Sequence, residues 1–131
     1  MSYTYTVQID LNLVLVQLQG DMTYLQEVEA ISVVLLDDRI RKNVRILVDR
    51  TQAPIIANPE KVNQFVEVVA KSRKDIGRPK IAIVVADEVD YGMTRLLELQ
   101  SNTWDSHDIR VFFEIDRALK WLDIEMSDLV H

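Results

Sequence analysis

The sequence contains no cysteine. This absence excludes disulfide bonds, thiolate metal sites and a cysteine nucleophile, and it is consistent with a reducing compartment such as the cytosol. Glycine and proline are also scarce, with three of each among 131 residues, and no linker rich in glycine, proline or serine divides the chain. We therefore expect one domain over residues 1–131, with a core in residues 3–122 and a C-terminal tail in residues 123–131.

A basic excess and long apolar runs are missing as well. The formal net charge of -6 disfavours nucleic acid as a partner, because phosphates require a basic surface. No segment approaches the roughly 20 apolar residues of a membrane span, and the N-terminal sequence MSYTYTVQID lacks the basic and apolar regions of a signal peptide. These features predict a soluble, cytoplasmic protein without an integral membrane segment.

The most informative stretch of the chain is residues 78–99, which contains a strand, a turn and a helix in succession. Residues 81–86 form a continuous apolar run, as in a strand covered on both faces. Asp87 ends the strand, and Asp90 is predicted to cap the helix that follows. The apolar positions of that helix recur at helical spacing and are expected to face the sheet: Tyr91, Met93, Leu96, Leu97 and Leu99.

Two β-rich runs open the chain, at residues 3–9 and 13–18, and the short link between them contains Asn12, which tolerates a positive φ. They predict a β-hairpin. Thr23 and Gln26 then match a capping box that begins a helix over residues 24–41. One face of this helix is predicted to be apolar and buried: Leu25, Val28, Ile31, Ser32 and Leu35.

Three further elements follow from the same kind of pattern. Residues 44–49 predict a strand beside the strand at 81–86, and Asn58 before Pro59 predicts the start of a helix. Residues 110–113 predict a fifth strand, and Asp116 is predicted to cap the last helix. The order ββαβαβαβα implies an α/β fold with a mixed five-stranded sheet, an N-terminal β-hairpin, parallel strands and helices packed on the sheet.

Several segments also resemble a known family in their residues: 80–85 with Asp87, 91–93 with Arg95, 111–112, 118–119 and 121–122. Over roughly residues 5–122 the chain resembles the SpoIIAA-like proteins, a branch of the STAS superfamily that is similar to CRAL-TRIO lipid-transfer domains. The resemblance implies a STAS-like fold and a binding or regulatory role, and it supplies no catalytic residues.

The regulatory phosphorylation site of STAS proteins is only partly matched. Those regulators carry a phosphorylated serine at the start of the helix after the central strand. Residues 49–54 read DRTQAP here, so Thr51 alone could replace that serine. A threonine in such a position is usually a turn residue, and this reading is the one we favour.

Acidic residues end two strands that are predicted to be neighbours. Asp49 and Asp87 would lie at the carboxyl edge of the sheet, where open α/β sheets bind ligands, and Asp90 could join them around Mg²⁺. Acids also end strands and cap helices without any ligand, so we expect neither a metal nor a cofactor.

The only cluster of residue types typical of a hydrolase lies at residues 105–108, which read DSHD. Side chains of consecutive loop residues diverge, whereas a catalytic triad must converge in space. We interpret this segment, including His107, as a solvated turn. No other arrangement in the sequence indicates an enzyme.

Ile55 and Ile56 lie in an apolar loop just beyond the predicted central strand. They could pack against the core or form a dimer contact, or they could form an apolar mouth together with Tyr91, Met93 and Trp104. The primary hypothesis is a noncatalytic regulatory or protein-interaction module that binds a protein partner or a second copy of itself. The alternative is a carrier of a lipid-like apolar small molecule. The candidate binding residues are Asp49, Thr51, Ile55, Ile56, Asp87, Tyr91 and Met93.

Overall fold

A computed structural model describes residues 2–54, 64, 74–101 and 107–129. The predicted helix that starts at Asn58 lies outside these ranges. The described strands and helices are, in chain order, β1 (Ser2–Gln8), β2 (Leu13–Gln19), α1 (Tyr24–Leu35), β3 (Arg45–Gln52), β4 (Lys80–Val84), α2 (Glu88–Ser101), β5 (Asp108–Phe112) and α3 (Ile115–Trp121). Single 3₁₀ turns occupy Ile9–Leu11, Lys74–Ile76 and Met126–Asp128.

The five strands form one mixed sheet in the order β1-β2-β3-β4-β5. β1 is antiparallel to β2, and the other neighbouring pairs are parallel, with Val48 beside Ile83 and Ile83 beside Val111. The predicted fold class is confirmed, including the N-terminal hairpin and the adjacency of β3 and β4. Asn12 has φ 48°, in the left-handed region, and its side-chain oxygen accepts the N–H of Arg41 at 2.9 Å.

Each face of the sheet carries its own hydrophobic cluster, because successive residues of a strand point to opposite faces. The first cluster packs α1 and Tyr91 of α2 against one face, and the second packs α3 against the other. β4 is buried on both sides, as its continuous apolar run predicted. The second cluster also contains Ile124, so the chain contributes to the core beyond residue 122.

Helix α1 begins as predicted and ends earlier than predicted. Thr23 and Gln26 form the complete capping box. The helix stops at Leu35, because the Asp37 carboxylate accepts the backbone N–H of Arg39 at 2.9 Å and turns the chain. Leu25 was predicted to be buried and is 75% exposed, since the inward position one turn into the helix belongs to Glu27.

The starts of the two later helices also differ from the predictions. Asp87, and not Asp90, caps α2, because the helix begins at Glu88 and Asp87 Oδ1 accepts the N–H of Asp90 at 2.9 Å. α3 begins at Ile115, so Asp116 lies within its first turn and is not its cap. None of the helices within the described ranges has the length and apolar character needed to cross a bilayer.

Candidate functional site

Asp49 and Thr51 lie near the end of β3 and interact with each other. Asp49 Oδ1 accepts the backbone N–H of Thr51 at 2.9 Å and its hydroxyl at 2.6 Å. Both side chains are half-buried. The Thr51 hydroxyl therefore donates its hydrogen bond to the Asp49 carboxylate.

The other candidate residues are distributed along the start of α2. Asp87 is exposed and caps the helix, while Tyr91 stacks on Phe113 with ring centroids 4.6 Å apart. Met93 is half-buried. Ile55 and Ile56 lie outside the described residues, so their place relative to Tyr91 and Met93 stays a prediction. Within the described ranges, no three acidic or histidine side chains are grouped as metal ligands would be.

His107 does not lie in a solvated turn, which corrects the prediction for this segment. The side chain is fully buried, immediately before β5. Asp108, the next residue, begins β5 and pairs with Arg78 through Oδ1 and Nη2 at 2.8 Å. The Arg78 guanidinium lowers the pKa of Asp108 below its usual range. Asp105 and Ser106 lie outside the described residues.

Helix α2 has polar side chains at buried positions and apolar side chains at exposed positions. Among the α2 side chains that the structure describes, the buried ones are Asp90, Thr94 and Glu98, which recur every four residues and thus share one face. Val89 is 76%, Leu96 52% and Leu99 49% exposed, whereas Tyr91 packs against the first hydrophobic cluster. The prediction for Leu97 falls outside the side chains that the structure describes. The prediction that Leu96 and Leu99 face the sheet was wrong.

A buried ion pair joins α1 to β3. An Nη2 atom of Arg50 contacts Oε1 of Glu27, and both side chains are more than nine-tenths buried. Neither residue was predicted to be buried or functional. The signal that could have identified them is the carboxylate of Glu27 at an inward position of α1, because a buried carboxylate requires a cationic partner.

A groove of about 980 Å³ surrounds the outer edge of β5, between α2 and α3. Aromatic and cationic side chains dominate its lining: Tyr91, Phe112, Phe113, Trp121, Arg95, Arg110, Arg117 and Lys120. Among these residues only Tyr91 was predicted as a candidate, because the lining comes from separate elements that meet only in the fold.

No family model and no curated protein matches the sequence. Among solved structures, the chain is similar to an uncharacterized protein of the DUF3478 family from Shewanella loihica PV-4, which has a SpoIIAA-like fold. The TM-score is 0.57 and the sequence identity 14%, and the match covers 92% of this chain and 94% of the other. The likeness thus concerns the fold, and it agrees with the resemblance in the sequence: this chain has a SpoIIAA-like α/β fold.

Proposed function

We propose that the chain is a noncatalytic interaction module that pairs with a second copy of itself through the outer face of α2. The observation that carries this proposal is the exposed apolar side of α2. Three large apolar side chains, Val89, Leu96 and Leu99, are exposed along one side of a single helix, and apolar patches of this kind mark interaction surfaces. An arrangement of this kind is expected where the apolar face is covered by another chain.

The exposed face is a narrow apolar stripe, defined by Val89, Gly92, Leu96 and Leu99. Their spacings of three and four residues place them along one side of the helix over about 15 Å. Gly92 lies in the middle of the stripe, and a side chain built on it would meet nothing within 4 Å. The stripe therefore contains a notch between its apolar side chains.

An antiparallel pairing of two copies of α2 fits this stripe to itself. The two-fold axis would pass the outer side of the helix at the level of residue 94. Residues equidistant from that level then face each other, so Val89 lies opposite Leu99, and Leu96 lies opposite Gly92. Leu96 of each helix then fills the space beside Gly92 of the other helix. Arg95 flanks the axis, and its guanidinium is already paired with Glu98 of its own chain.

The size of the stripe indicates a weak dimer. One helix face buries less than the roughly 1,200 Å² that separates stable interfaces from transient ones. A dissociation constant in about the micromolar range or above follows, so the protein would exchange between monomer and dimer with its concentration. Such reversible association suits a regulatory module.

Sedimentation velocity over a wide concentration series tests the proposal. Wild type is expected to dimerise reversibly, whereas Leu96→Glu with Leu99→Glu stays monomeric and keeps the wild-type denaturation midpoint. Leu25→Glu is the control, because Leu25 is also an exposed leucine, at 75%, on another helix. A wild type that is monomeric throughout would overturn the proposal. So would a loss of about 2 to 5 kcal/mol in the double variant, since that is the cost of disrupting a core.

The alternative function, carriage of an apolar small molecule, depends on Ile55 and Ile56 and stays a hypothesis. Native mass spectrometry of freshly purified protein tests it directly. A retained organic mass that is lost in Ile55→Ser with Ile56→Ser would favour the carrier.

A further inference from the structure

The groove around β5 has two sides, because successive residues of the strand point to opposite faces of the sheet. The stacked rings of Tyr91 and Phe113 lie on the side of α2. Arg110 and Phe112 are two residues apart and lie on the other side, where Phe112 packs against the hydrophobic cluster beneath α3. This α3 side of the groove is lined by three cations and two aromatic rings: Arg110, Arg117, Lys120, Phe112 and Trp121.

Contacts among these side chains bring them into one surface. Arg110 lies over the Phe112 ring, with Cζ 5.7 Å from the ring centroid, and Phe112 packs against Trp121 at 50° with centroids 5.9 Å apart. Lys80 of β4 lies over the Trp121 ring in turn, with Nζ 4.8 Å from its centroid. Because both rings already contact a cation and each other, they support the surface, and the exposed charges are the groups left to a ligand.

The exposed cations of the α3 side are poorly neutralised. Arg110 and Lys120 are exposed and form no ion pair within the described ranges. Arg117 lies 3.4 Å from Glu114, but both side chains are mostly exposed, at 78% and 62%, so water weakens this pair. Asp116 lies in the first turn of α3, where a helix N-terminus favours a carboxylate. Carboxylates of another molecule would therefore find guanidinium and ammonium groups available here.

We propose that the α3 side of the groove binds an acidic segment of a partner protein, whose carboxylates pair with Arg110, Arg117 and Lys120. Arg110 is on β5, and the other two cations are three residues apart on α3, about 5 Å along the helix axis. Cations that are spread in this way match a segment with several carboxylates better than one small anion. Helix α2 packs on the other face of the sheet, so this surface is separate from the proposed dimer contact.

A wide polyanion is a less suitable occupant than a short acidic segment. Nucleic acids and anionic membranes present many closely spaced phosphates, and their binding proteins offer a correspondingly wide basic surface. This chain has a net charge of -6, and exposed acids follow α3 directly, at Asp123, Glu125 and Asp128. Most of the surface would repel a wide polyanion, whereas a short segment needs only the three cations.

The segment is expected to bind through its side chains and not as an added strand. Strand addition requires the outward backbone groups of β5 to be available. The outward N–H of Val111 is already bonded to Glu98 Oε2 at 3.2 Å. A strand could not bind along β5 without displacing this carboxylate.

Fluorescence anisotropy of fluorescein-labelled hexaglutamate, titrated with the protein at low salt, tests the surface, and labelled hexaglutamine is the uncharged comparison. Wild type should bind hexaglutamate saturably and more tightly than hexaglutamine, with an affinity that falls as the salt concentration rises. Arg110→Gln with Lys120→Gln should weaken hexaglutamate binding about fivefold or more, because it removes two ion pairs. Lys120→Glu alone should also weaken it, and this change leaves the contact between Arg110 and Phe112 in place.

The charge-matched control is Arg41→Gln with Lys42→Gln, which lie at exposed positions before β3 and outside the groove, and it should bind hexaglutamate as wild type does. Equal weakening in this control, equal affinity for hexaglutamine, or no binding by wild type would overturn the proposal. Displacement of the probe by inorganic phosphate at lower concentration than by unlabelled hexaglutamate would show a small-anion site instead. Tighter binding of labelled hexathymidylate or of phosphatidylserine vesicles would likewise contradict an acidic protein segment as the occupant.

Discussion

The carboxylate of Glu98 on α2 accepts a hydrogen bond from the backbone N–H of Val111 on β5, with Oε2 and N 3.2 Å apart. β5 is at the edge of the sheet, where outward N–H groups otherwise invite pairing with another chain. Glu98 also contacts the guanidinium of Arg95, which holds the carboxylate in place. The polar inner face of α2 thus has a structural role, because one of its carboxylates covers part of the exposed edge.

We expect Glu98→Ala to lower the free energy of unfolding by about 1 to 3 kcal/mol, the cost of leaving a buried N–H without an acceptor. Glu98→Gln should cost less, since its amide oxygen can still accept. Urea denaturation measures both, and light scattering should show more self-association in Glu98→Ala. Glu114→Ala, which removes an exposed carboxylate of the same groove, is the control. Equal stability of the two alanine variants would contradict the role of Glu98.

The buried pair of Glu27 and Arg50 should behave as one unit. Either Glu27→Leu or Arg50→Met alone leaves an unpaired buried charge, and we expect each to lower the free energy of unfolding by about 3 to 5 kcal/mol. The double variant should regain most of that loss, because it removes both charges together. Chemical denaturation of the four proteins gives the coupling energy. Additive losses in the double variant would show that the two side chains act independently.

Replacing His107 should affect stability. His107→Ala creates a cavity at a fully buried position, and we expect a loss of about 2 kcal/mol or more in the free energy of unfolding. Asp108→Ala is the neighbouring control, and its loss should stay below about 1 kcal/mol because the ion pair with Arg78 is largely solvated. Thermal denaturation compares the two. A His107→Ala protein as stable as wild type would restore the interpretation of this segment as a solvated turn.

The stability contributed by Asp37 should depend on pH. The Arg39 guanidinium donates two hydrogen bonds to this carboxylate and lowers its pKa well below the usual range, with a further bond from the Tyr5 hydroxyl at 2.9 Å. A pKa that is lower in the folded state gives stability that is complete above the unfolded pKa and is lost as the pH falls toward the folded one.

Asp37→Asn should therefore lower the free energy of unfolding by about 1 kcal/mol at neutral pH. Its difference from wild type should shrink below about pH 4. Urea denaturation at a series of pH values measures this, with Asp10→Asn, an exposed acid, as the control. A difference that is constant down to the lowest pH at which wild type folds would contradict the assignment.

The features that sequence reasoning predicted correctly are those with local causes. Asn12 adopts its left-handed conformation within a short link, and the Thr23 capping box involves residues three apart. The continuous apolar run of β4 predicted correctly that this strand is buried on both faces. Each of these signals is complete within a few neighbouring residues.

The orientation of the helices was predicted less well, because it depends on partners far along the chain. Glu27 faces inward to meet Arg50, and Leu25 is turned outward as a result. Glu98 faces inward to meet the N–H of Val111, and this turns Leu96 outward. The hydrophobic pattern alone predicted Leu25, Leu96 and Leu99 to be buried, although it placed Leu35 of α1 in the core correctly.

The candidate binding residues stay predictions, and the sequence indicated only some of the contacts around them. Asp49 and Thr51 do interact, as neighbours at the end of a strand can. The groove around β5 combines Arg110 with Lys120 and with the stacked ring of Phe113, which come from different elements. No spacing in the sequence indicates that these side chains share a surface.

The strand order of the sheet has a consequence for cotranslational folding. Each of the five described strands after the first pairs with the described strand synthesised before it, so none of the five must be inserted between two that have already paired. The sheet can therefore grow in the order of translation, with β5 added last. Until α3 emerges after it, the Leu47, Ala82 and Val84 face of the nascent sheet lacks the α3 side chains that pack on it in the folded protein, and this is the interval in which we expect a chaperone to bind.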